Sequence, residues 1–365
     1  MAPLRWDRIL LLNLLATMHV LIPALVLLAS GCYPSPPETS GAAPADTLSL
    51  PSPPERAEPF LAHLFAGSTW AFTPTLTPDR RTLYAVVWDD PSPRNMQRLV
   101  TSRFAGGAWT PLAPVAETAG WRVDWPHVAP DGETFWLSFA KPHAGHTGVA
   151  DSIRTADFDL WRARRLPDAP DGAVRWAPLE PVAAPDVNRP KTAANLRAGY
   201  VHNETGPRIG PDGSLLFWTE RRDDGGGGRD LYLSASGGGR GARGLGAPEL
   251  LPAPVNSRAD ESGGVFLADG RTLVFASTRP GGLGGSDLYA SRLREDGTWT
   301  EPVNLGPGVN SPGAEGSPEL LPGGDALLFT SSRPRPGVPR QPGVDGDPIH
   351  PYAPFWVSTA ALPLP

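Results

Sequence analysis

Short apolar runs alternate with turn residues along most of this chain, and the pattern repeats. From about Phe60 onward, runs of β-branched and aromatic residues flank turns of the Pro-Asp-Gly type, which favours β-hairpins over helices. The turn and the strand that leaves it occur five times, at 77–84, 129–136, 210–217, 267–274 and 321–328. Counted at the position of Pro78, the intervals are 52, 81, 57 and 54 residues, so the second unit carries an insertion.

Each repeat unit predicts four strands. Two form the hairpin around the turn, a third contains Asp-Leu-Trp or Asp-Leu-Tyr, and a fourth begins near a tryptophan such as Trp109, Trp176 or Trp299. Four short strands recurring at about 50 residues are typical of a β-propeller, in which neighbouring blades bury each other's faces. We therefore predict an all-β fold, a β-propeller of five four-stranded blades, with six blades as the alternative.

The last repeat unit has three recognisable strands rather than four. The apolar segment Phe60–Phe65, just before the first unit, is the candidate for the missing strand. Such an exchange would close the ring and remove two exposed sheet edges.

Ahead of the repeats lies an apolar segment, Ile9–Leu28, with Arg5 and Arg8 before it and Ala29-Ser30-Gly31-Cys32 after it. This arrangement resembles the lipobox of bacterial lipoproteins, which implies lipid attachment at Cys32 and removal of the preceding peptide. A plain membrane anchor is the alternative, because the run is near the roughly 20 residues that span a bilayer.

Three regions follow from these patterns: a lipoprotein signal peptide at 1–31, a lipidated cysteine and Pro-rich flexible tether at 32–58, and a propeller at 59–365. We expect a protein of the cell envelope, anchored to a membrane through its N-terminal lipid. By the same resemblance, Tyr33 after the cysteine favours the outer membrane. Cys32 is the only cysteine, so we expect a fold without disulfides.

Composition narrows the classes of partner. The formal net charge is −6, which argues against nucleic acid, since phosphate binding needs a basic surface. We expect a monomer whose partner is a protein or a glycan.

One stretch carries a family resemblance. Ser277–Arg292 reads STRPGGLGGSDLYASR and is followed by Trp299 and by Pro302–Gly306. It is similar to the WD-like, PD-motif propeller repeats of TolB-type periplasmic proteins, and the resemblance extends over about 71–359. It implies an envelope propeller that binds partners and names no substrate, because one fold hosts many functions.

Charged residues recur where the first strand of a unit begins and the second ends, two places on the same face of the ring. The pairs are Asp124 with Lys141, Glu204 with Arg221, Glu261 with Arg279, and Glu315 with Arg333, whereas the first unit offers Trp70 against Asp89 and Asp90. One interpretation is a binding rim that grips a polar peptide or glycan by charge-assisted hydrogen bonds. The other, which we favour, is ion pairs that tie the sheet ends together.

Gly-rich loops at 223–228 and 280–285 open onto the same face. We interpret them as mobile connectors, with an anion cradle of backbone N–H groups as the alternative. Asp159, Asp230 and Asp287 resemble the structural aspartate of WD-type repeats, which implies that they cap turns or strands.

The sequence offers little support for catalysis. It contains no Gly-x-Ser-x-Gly or His-Glu-x-x-His motif. His143 with His146 and Asp345 with Asp347 are weak metal signals, so we predict no metal and no cofactor.

The predicted function is therefore a non-catalytic envelope lipoprotein that binds a protein or glycan on the channel face. One alternative is a sialidase-like glycan hydrolase, which would use Arg221, Arg279 and Arg333 on a sugar carboxylate, although the Asp-box of that family is missing. The other is a structural subunit of an envelope assembly.

Overall fold

The computed structural model describes residues 47–66, 70–88, 97–143, 158–184, 186–190, 192–226, 228–237, 244–342 and 348–365. Cys32 and the lipobox-like segment lie outside these ranges, as do Asp89, Asp90, His146, Asp345 and Asp347. Among the described residues, no helix combines the length and hydrophobicity that crossing a bilayer requires.

Five antiparallel sheets form the five blades, as the repeat predicted. The chain enters through β1 (Glu58–Pro59), and blade one holds β2 (Trp70–Leu76), β3 (Thr82–Trp88), β4 (Arg98–Ala105), β5 (Ala108–Trp109) and β6 (Ala113–Pro114). Blade two holds β7 (Val123–Val128), β8 (Thr134–Phe139), β9 (Asp159–Leu166), β10 (Arg175–Trp176) and β11 (Glu180–Pro181). Blade three holds β12 (Asn203–Ile209), β13 (Leu215–Glu220), β14 (Arg229–Ser234) and β15 (Glu249–Leu250).

Blade four holds β16 (Glu261–Phe266), β17 (Thr272–Ser277), β18 (Asp287–Arg292) and β19 (Val303–Asn304). Blade five holds β20 (Glu315–Leu320), β21 (Ala326–Ser331) and β24 (Ala353–Ser358), with a small hairpin of β22 (Gln341–Pro342) and β23 (Pro348–Ile349) inserted. A short helix, α1 (Ala193–Ala198), precedes β12, and 3₁₀ turns lie at Ala62–Phe65, Ala116–Thr118 and Thr359–Ala361. The first strands of the blades contact one another in a closed ring around the axis.

The core lies between blades rather than in one centre. Among the described residues, five large apolar clusters lie one at each junction of neighbouring blades, and a sixth is the small contact of Ala140 with Phe158. The second strand of a blade is covered on both faces, and β3, β8, β17 and β21 are buried along their whole length. Burial on both faces explains why these strands are nearly continuous apolar runs instead of alternating ones.

The ring is closed by the N-terminal segment, although not by the residues that the sequence indicated. Strand β1 pairs with β24 in blade five, with Glu58 opposite Trp356, so Glu58–Pro59 supplies the fourth strand. Phe60–Phe65 does not, because Leu61 adopts a left-handed φ of 44° and the chain then turns into a 3₁₀ helix. Its burial also fails to alternate as a strand on a sheet face would.

Contacts with the propeller begin before residue 59. Leu48 donates its N–H to the carbonyl of Asp79, and Ser358 donates to the carbonyl of Pro54, at 2.8 and 2.7 Å. Phe60 is 2 % exposed, and its ring centroid lies 5.3 Å from that of Trp356. The segment therefore closes the ring through an aromatic anchor as well as through strand pairing.

We expect Phe60→Ala to lower the free energy of unfolding by about 3–5 kcal/mol, because it empties a buried aromatic site at the closing junction. Glu58→Ala, two residues earlier on an exposed side chain, should change it by less than about 0.5 kcal/mol. Denaturant unfolding of both variants checks this. Similar stabilities for the two would mean that the closure does not depend on the Phe60 anchor.

Candidate functional site

A recurring asparagine fastens the connection between blades to the blade that it leaves. Asn256 accepts the N–H of Leu231 through Oδ1 and donates from Nδ2 to the carbonyl of the same residue, both at 2.9 Å. Asn188 makes the corresponding two bonds with Leu160, and Asn310 makes them with Leu288. These amides replace the backbone pairing that the two-residue outer strands leave unmade along the third strand.

Glu261 and Arg279 form a buried ion pair in blade four. Arg279 Nη2 lies 3.1 Å from Glu261 Oε1, and the side chains are 15 % and 0 % exposed. The carboxylate also accepts the N–H and hydroxyl of Ser257 and the hydroxyl of Ser277, at 2.7–2.8 Å, while Arg279 donates to the carbonyl of Val255 at 2.7 Å. Because the bonds to Ser257 and Val255 tie blade four to the incoming connection, the pair braces the junction with blade three.

Blade five repeats this brace. Arg333 lies 3.5 Å from Glu315, Ser311 and Ser331 donate to the carboxylate at 2.6 Å, and Arg333 also donates to the carbonyl of Val309. Burial raises the pKa of Glu315, opposed by the two serine hydrogen bonds and the Arg333 charge, and burial lowers the pKa of Arg333. The geometry of both blades is that of ties between sheet ends.

Blade three departs from the predicted pairing of Glu204 with Arg221. Glu204 is fully buried, but the Arg221 side chain is 54 % exposed and its nearest acid is Glu220, at 3.9 Å. The equivalent cation is Arg222, whose guanidinium carbon lies 4.8 Å from the ring centroid of Tyr232. The sequence prediction chose Arg221 by counting residues from Glu204. Because Arg221 has a left-handed φ of 46°, the chain continues one residue further, and Arg222 is the cation that turns inward.

The predicted pair of Asp124 and Lys141 does not form in blade two. The braced glutamates stand two residues before a left-handed bulge residue, and in blade two that position belongs to Val123, with Asp124 one residue later. A shift of one residue along a strand moves a side chain to the other face. Lys141 Nζ instead lies 6.0 Å from the ring centroid of Trp161. The four predicted pairs therefore do not form a continuous rim. The binding role of the rim residues stays a prediction.

The Gly-rich loops wrap around aspartates rather than around open space. In the loop of blade four, Leu283 and Gly284 donate their N–H groups to Asp287, and in blade three Gly226 donates to Asp230. A Cβ at Gly282 would collide with the Asp287 carboxylate, which explains the run of glycines. The N–H groups that an anion cradle needs are thus committed, and Asp230 and Asp287 act as the caps that the sequence predicted.

His143 contacts a carboxylate of its own blade. Its Nε2 lies 3.0 Å from Asp159 Oδ2. No cluster of three or more potential metal ligands occurs within the ranges that the structure describes.

An aromatic side chain fills the channel axis. Trp125 sits at the bulge of β7 and is 8 % exposed. Its ring occupies the space beside Gly263 of blade four, where a Cβ added to the glycine would lie 2.6 Å from Trp125 Cζ3. It also lies close to Gly206 of blade three, where an added Cβ would be 3.2 Å from the ring. Both glycines have a left-handed φ, so larger residues there would be excluded by conformation and by contact.

Beside Trp125, three charged or polar side chains from three blades meet at the axis. Glu319 Oε2 lies 2.6 Å from Arg208 Nε, and its carboxylate lies 3.0–3.1 Å from His127 Nδ1. His127 Nε2 accepts the N–H of Ile209 at 3.0 Å, so Nδ1 is the ring nitrogen that donates to Glu319. The Arg208 guanidinium also lies 5.6 Å from the Trp125 ring centroid. The sequence analysis did not predict this cluster, although each of the three residues directly follows the proline at the β-bulge of its inner strand. We call these the x-Pro bulges.

We use the term channel mouth for the partly exposed surface above this filled axis, formed by Phe72, Asp124, Arg229 and Tyr352 with the edge of Trp218. The Phe72 ring lies 5.4 Å from that of Tyr352, and Trp218 lies 6.0 Å from Trp125. Burial raises the pKa of Asp124 to about 6, against the N–H of Trp125 and the charges of Arg122 and Arg208. Aromatic rings, one acid and one base thus converge from blades one, two, three and five.

Comparisons with known proteins identify no family. No protein-family model and no curated protein sequence matches this chain. Similar solved structures include a protein assigned as TolB from Agrobacterium tumefaciens, with 15 % identity over 79 % of this chain and 90 % of that one and a TM-score of 0.41. They also include a family 62 α-L-arabinofuranosidase catalytic domain from Coprinopsis cinerea, with 11 % identity over 82 % and 93 % and a TM-score of 0.48. Likenesses at this level carry no argument about activity, and the five-bladed fold rests on the strand pairing itself.

We expect Arg279→Met to lower the free energy of unfolding by about 3–5 kcal/mol, because it leaves Glu261 charged and unpaired in a buried site. The control is Arg221→Met, which removes an exposed cation from the same face and should cost less than about 0.5 kcal/mol. Denaturant unfolding at neutral pH gives both values. Two small and equal losses would contradict the buried brace and favour a solvent-facing rim.

Asp124 should make stability depend on pH. Its folded pKa of about 6 lies above the ordinary 3.8, so the neutral acid stabilises the fold at low pH and this contribution is lost as the pH rises through about 6. Asp124→Asn, which mimics the neutral acid, should match the wild type near pH 4 and exceed it by up to about 3 kcal/mol at pH 8.

The control for this pH dependence is Asp131→Asn, at an exposed turn. As an exposed substitution, it should change the free energy of unfolding at pH 8 by less than about 0.5 kcal/mol. An Asp124→Asn difference that does not change with pH would contradict the raised pKa.

Proposed function

We propose that this protein is a lipid-anchored envelope lipoprotein whose propeller binds a glycan at the channel mouth without catalysing a reaction. The observation that carries the proposal is the mouth itself, where aromatic rings and charged side chains from four blades converge above a filled axis. Flat apolar rings with a polar fringe suit a sugar ring, which presents C–H faces and a rim of hydroxyl groups.

The backbone around the axis supports a glycan over a peptide that adds as a strand. Strand addition needs free N–H and C=O groups along a sheet edge. On the inner strands, Val128 donates its N–H to Thr75, Gly206 donates to Ser138, and Ile209 donates to His127, at 3.0–3.1 Å. With these N–H groups already committed to side chains, recognition must come from the side chains of the mouth.

The state of the acids near the axis supports binding rather than hydrolysis. Glycoside hydrolysis uses two carboxyl groups that flank the scissile bond in a cleft. Glu319 is 4 % exposed and is held by Arg208 and His127. Asp124 faces the mouth, whereas Glu319 is committed to the interior, so the two do not form an open catalytic pair.

Membrane anchoring is proposed on the resemblance of residues 29–32 to a lipobox. The TolB-type resemblance of the repeats agrees with an envelope location, and Tyr33 favours the outer membrane. We expect mass spectrometry of the native protein to find an acylated Cys32 as its first residue. An intact Met1 terminus or an unmodified Cys32 would contradict lipid anchoring and leave glycan binding untouched.

The binding proposal is tested by titrating the detergent-solubilised full chain with xylohexaose, cellohexaose and tetragalacturonate, followed by calorimetry and tryptophan fluorescence. We expect at least one to bind, and Phe72→Ala to weaken that binding about 3- to 10-fold through loss of an aromatic wall. Leu283→Ala, an exposed apolar residue of the Gly-rich loop in blade four, is the control and should bind normally. Equal affinity for the two variants would remove the mouth as the site.

A further inference from the structure

Arg229 has no acid partner, unlike the arginines of the two braces. Its backbone N–H is accepted by Asp260 Oδ1 at 3.1 Å, but within the described part of the chain no carboxylate pairs with its guanidinium group. Arg279 and Arg333 are tied to Glu261 and Glu315. A partly exposed guanidinium without a counter-ion is available to an anion from solvent.

The Arg229 guanidinium is held over the channel mouth by an aromatic platform. Its central carbon lies 5.2 Å from the ring centroid of Trp218, a cation–π distance that limits where the charge can go. It is close enough to Tyr352 of blade five for its charge to lower the pKa of that phenol, against the larger increase caused by burial. Arg229 therefore extends from blade three toward the far wall of the mouth.

Two buried indole rings lie beneath the channel mouth. Trp218 is 8 % exposed and Trp70 is 2 % exposed, and within the described residues neither Nε1–H has an acceptor. Trp218 Nε1 lies against the inner strand, 2.7 Å from the place that a Cβ of Gly206 would occupy. The Trp70 ring packs on Tyr352 with centroids 5.7 Å apart. Both N–H groups are covered by these contacts, so the two indoles contribute apolar ring surface to the mouth rather than hydrogen-bond donors.

The remaining charges at the axis cancel in pairs. Arg208 is paired with Glu319 at 2.6 Å, and Arg122 and Asp124 interact with each other. Arg229 is then left without an opposing charge among the described groups at the axis. A single unpaired positive charge matches a monoanion such as a carboxylate better than a phosphate, which carries nearly two negative charges.

We propose that the channel mouth binds an acidic glycan through the carboxylate of a uronate-type sugar, which Arg229 pairs with directly. Phe72 and Tyr352 form the wall against the sugar ring. This inference rests on the proposed glycan binding and names the class of sugar.

The test compares tetragalacturonate with its neutral methyl ester, using calorimetry on the full chain. The wild type should bind the acid about 10- to 100-fold more tightly than the ester, the range for a hydrogen-bonded charge pair. Arg229→Gln should abolish this preference, measured as the ratio of the two affinities. Arg221→Gln, an exposed arginine on the same face, is the control and should keep the preference.

Equal wild-type affinity for acid and ester would overturn the carboxylate assignment and leave glycan binding standing. Binding of neither sugar, with capture of a peptide through its free C-terminal carboxylate, would overturn both. Loss of affinity for the ester as well as the acid in Arg229→Gln would mean that the variant disturbs the mouth. In that case Arg229→Lys must retain at least part of the acid preference, or the assignment fails.

Discussion

Buried charge between neighbouring blades is the constraint on which this propeller depends. A carboxylate such as Glu261 cannot remain buried unless a cation and hydrogen-bond donors surround it. Here the cation comes from the end of the second strand and the donors come from the connection with the previous blade. Satisfying the charge therefore fixes the position of one blade against the next, while the apolar clusters supply most of the favourable burial.

The same constraint decides which side chains remain free for recognition. Arg279 and Arg333 are consumed by the braces, and the aspartates of the third strands consume the N–H groups of the Gly-rich loops. At the axis, Gly206 and Gly263 make room for Trp125, and Arg208, His127 and Glu319 satisfy one another. The chemistry left over lies at the channel mouth, where Arg229 and Asp124 stand among aromatic rings.

The repeat in the sequence predicted the architecture well, because turn chemistry and strand periodicity are local properties. Five blades and antiparallel pairing followed from the repeat spacing and the turn residues, whereas the caps at Asp230 and Asp287 followed from the resemblance to WD-type repeats. The closing strand was placed a few residues too late, because a left-handed Leu61 is not visible in an apolar pattern. The pairing of Glu204 and of Asp124 was wrong for a related reason: single-residue irregularities, at Arg221 and at the bulges, shift which side chain faces the junction.

The axis could not be predicted from the sequence at all. His127, Arg208 and Glu319 lie in three different repeats and meet only because the ring closes. All three residues follow a proline at a β-bulge. This pattern indicates a shared position at the axis only when the bulge is already known to turn the inner strand. Contacts between repeats depend on the closed ring, whereas contacts within a repeat depend on local sequence.

The most direct test of the account is native-state hydrogen exchange at the amides of Leu231 and Leu288, which donate to Asn256 and Asn310. If buried polar groups lock the blades together, these amides should exchange only through global unfolding, with a protection free energy equal to that from denaturant titration. Rapid exchange at these two positions, while the amides of β13 and β17 stay protected, would show that the junctions open independently and would contradict the account.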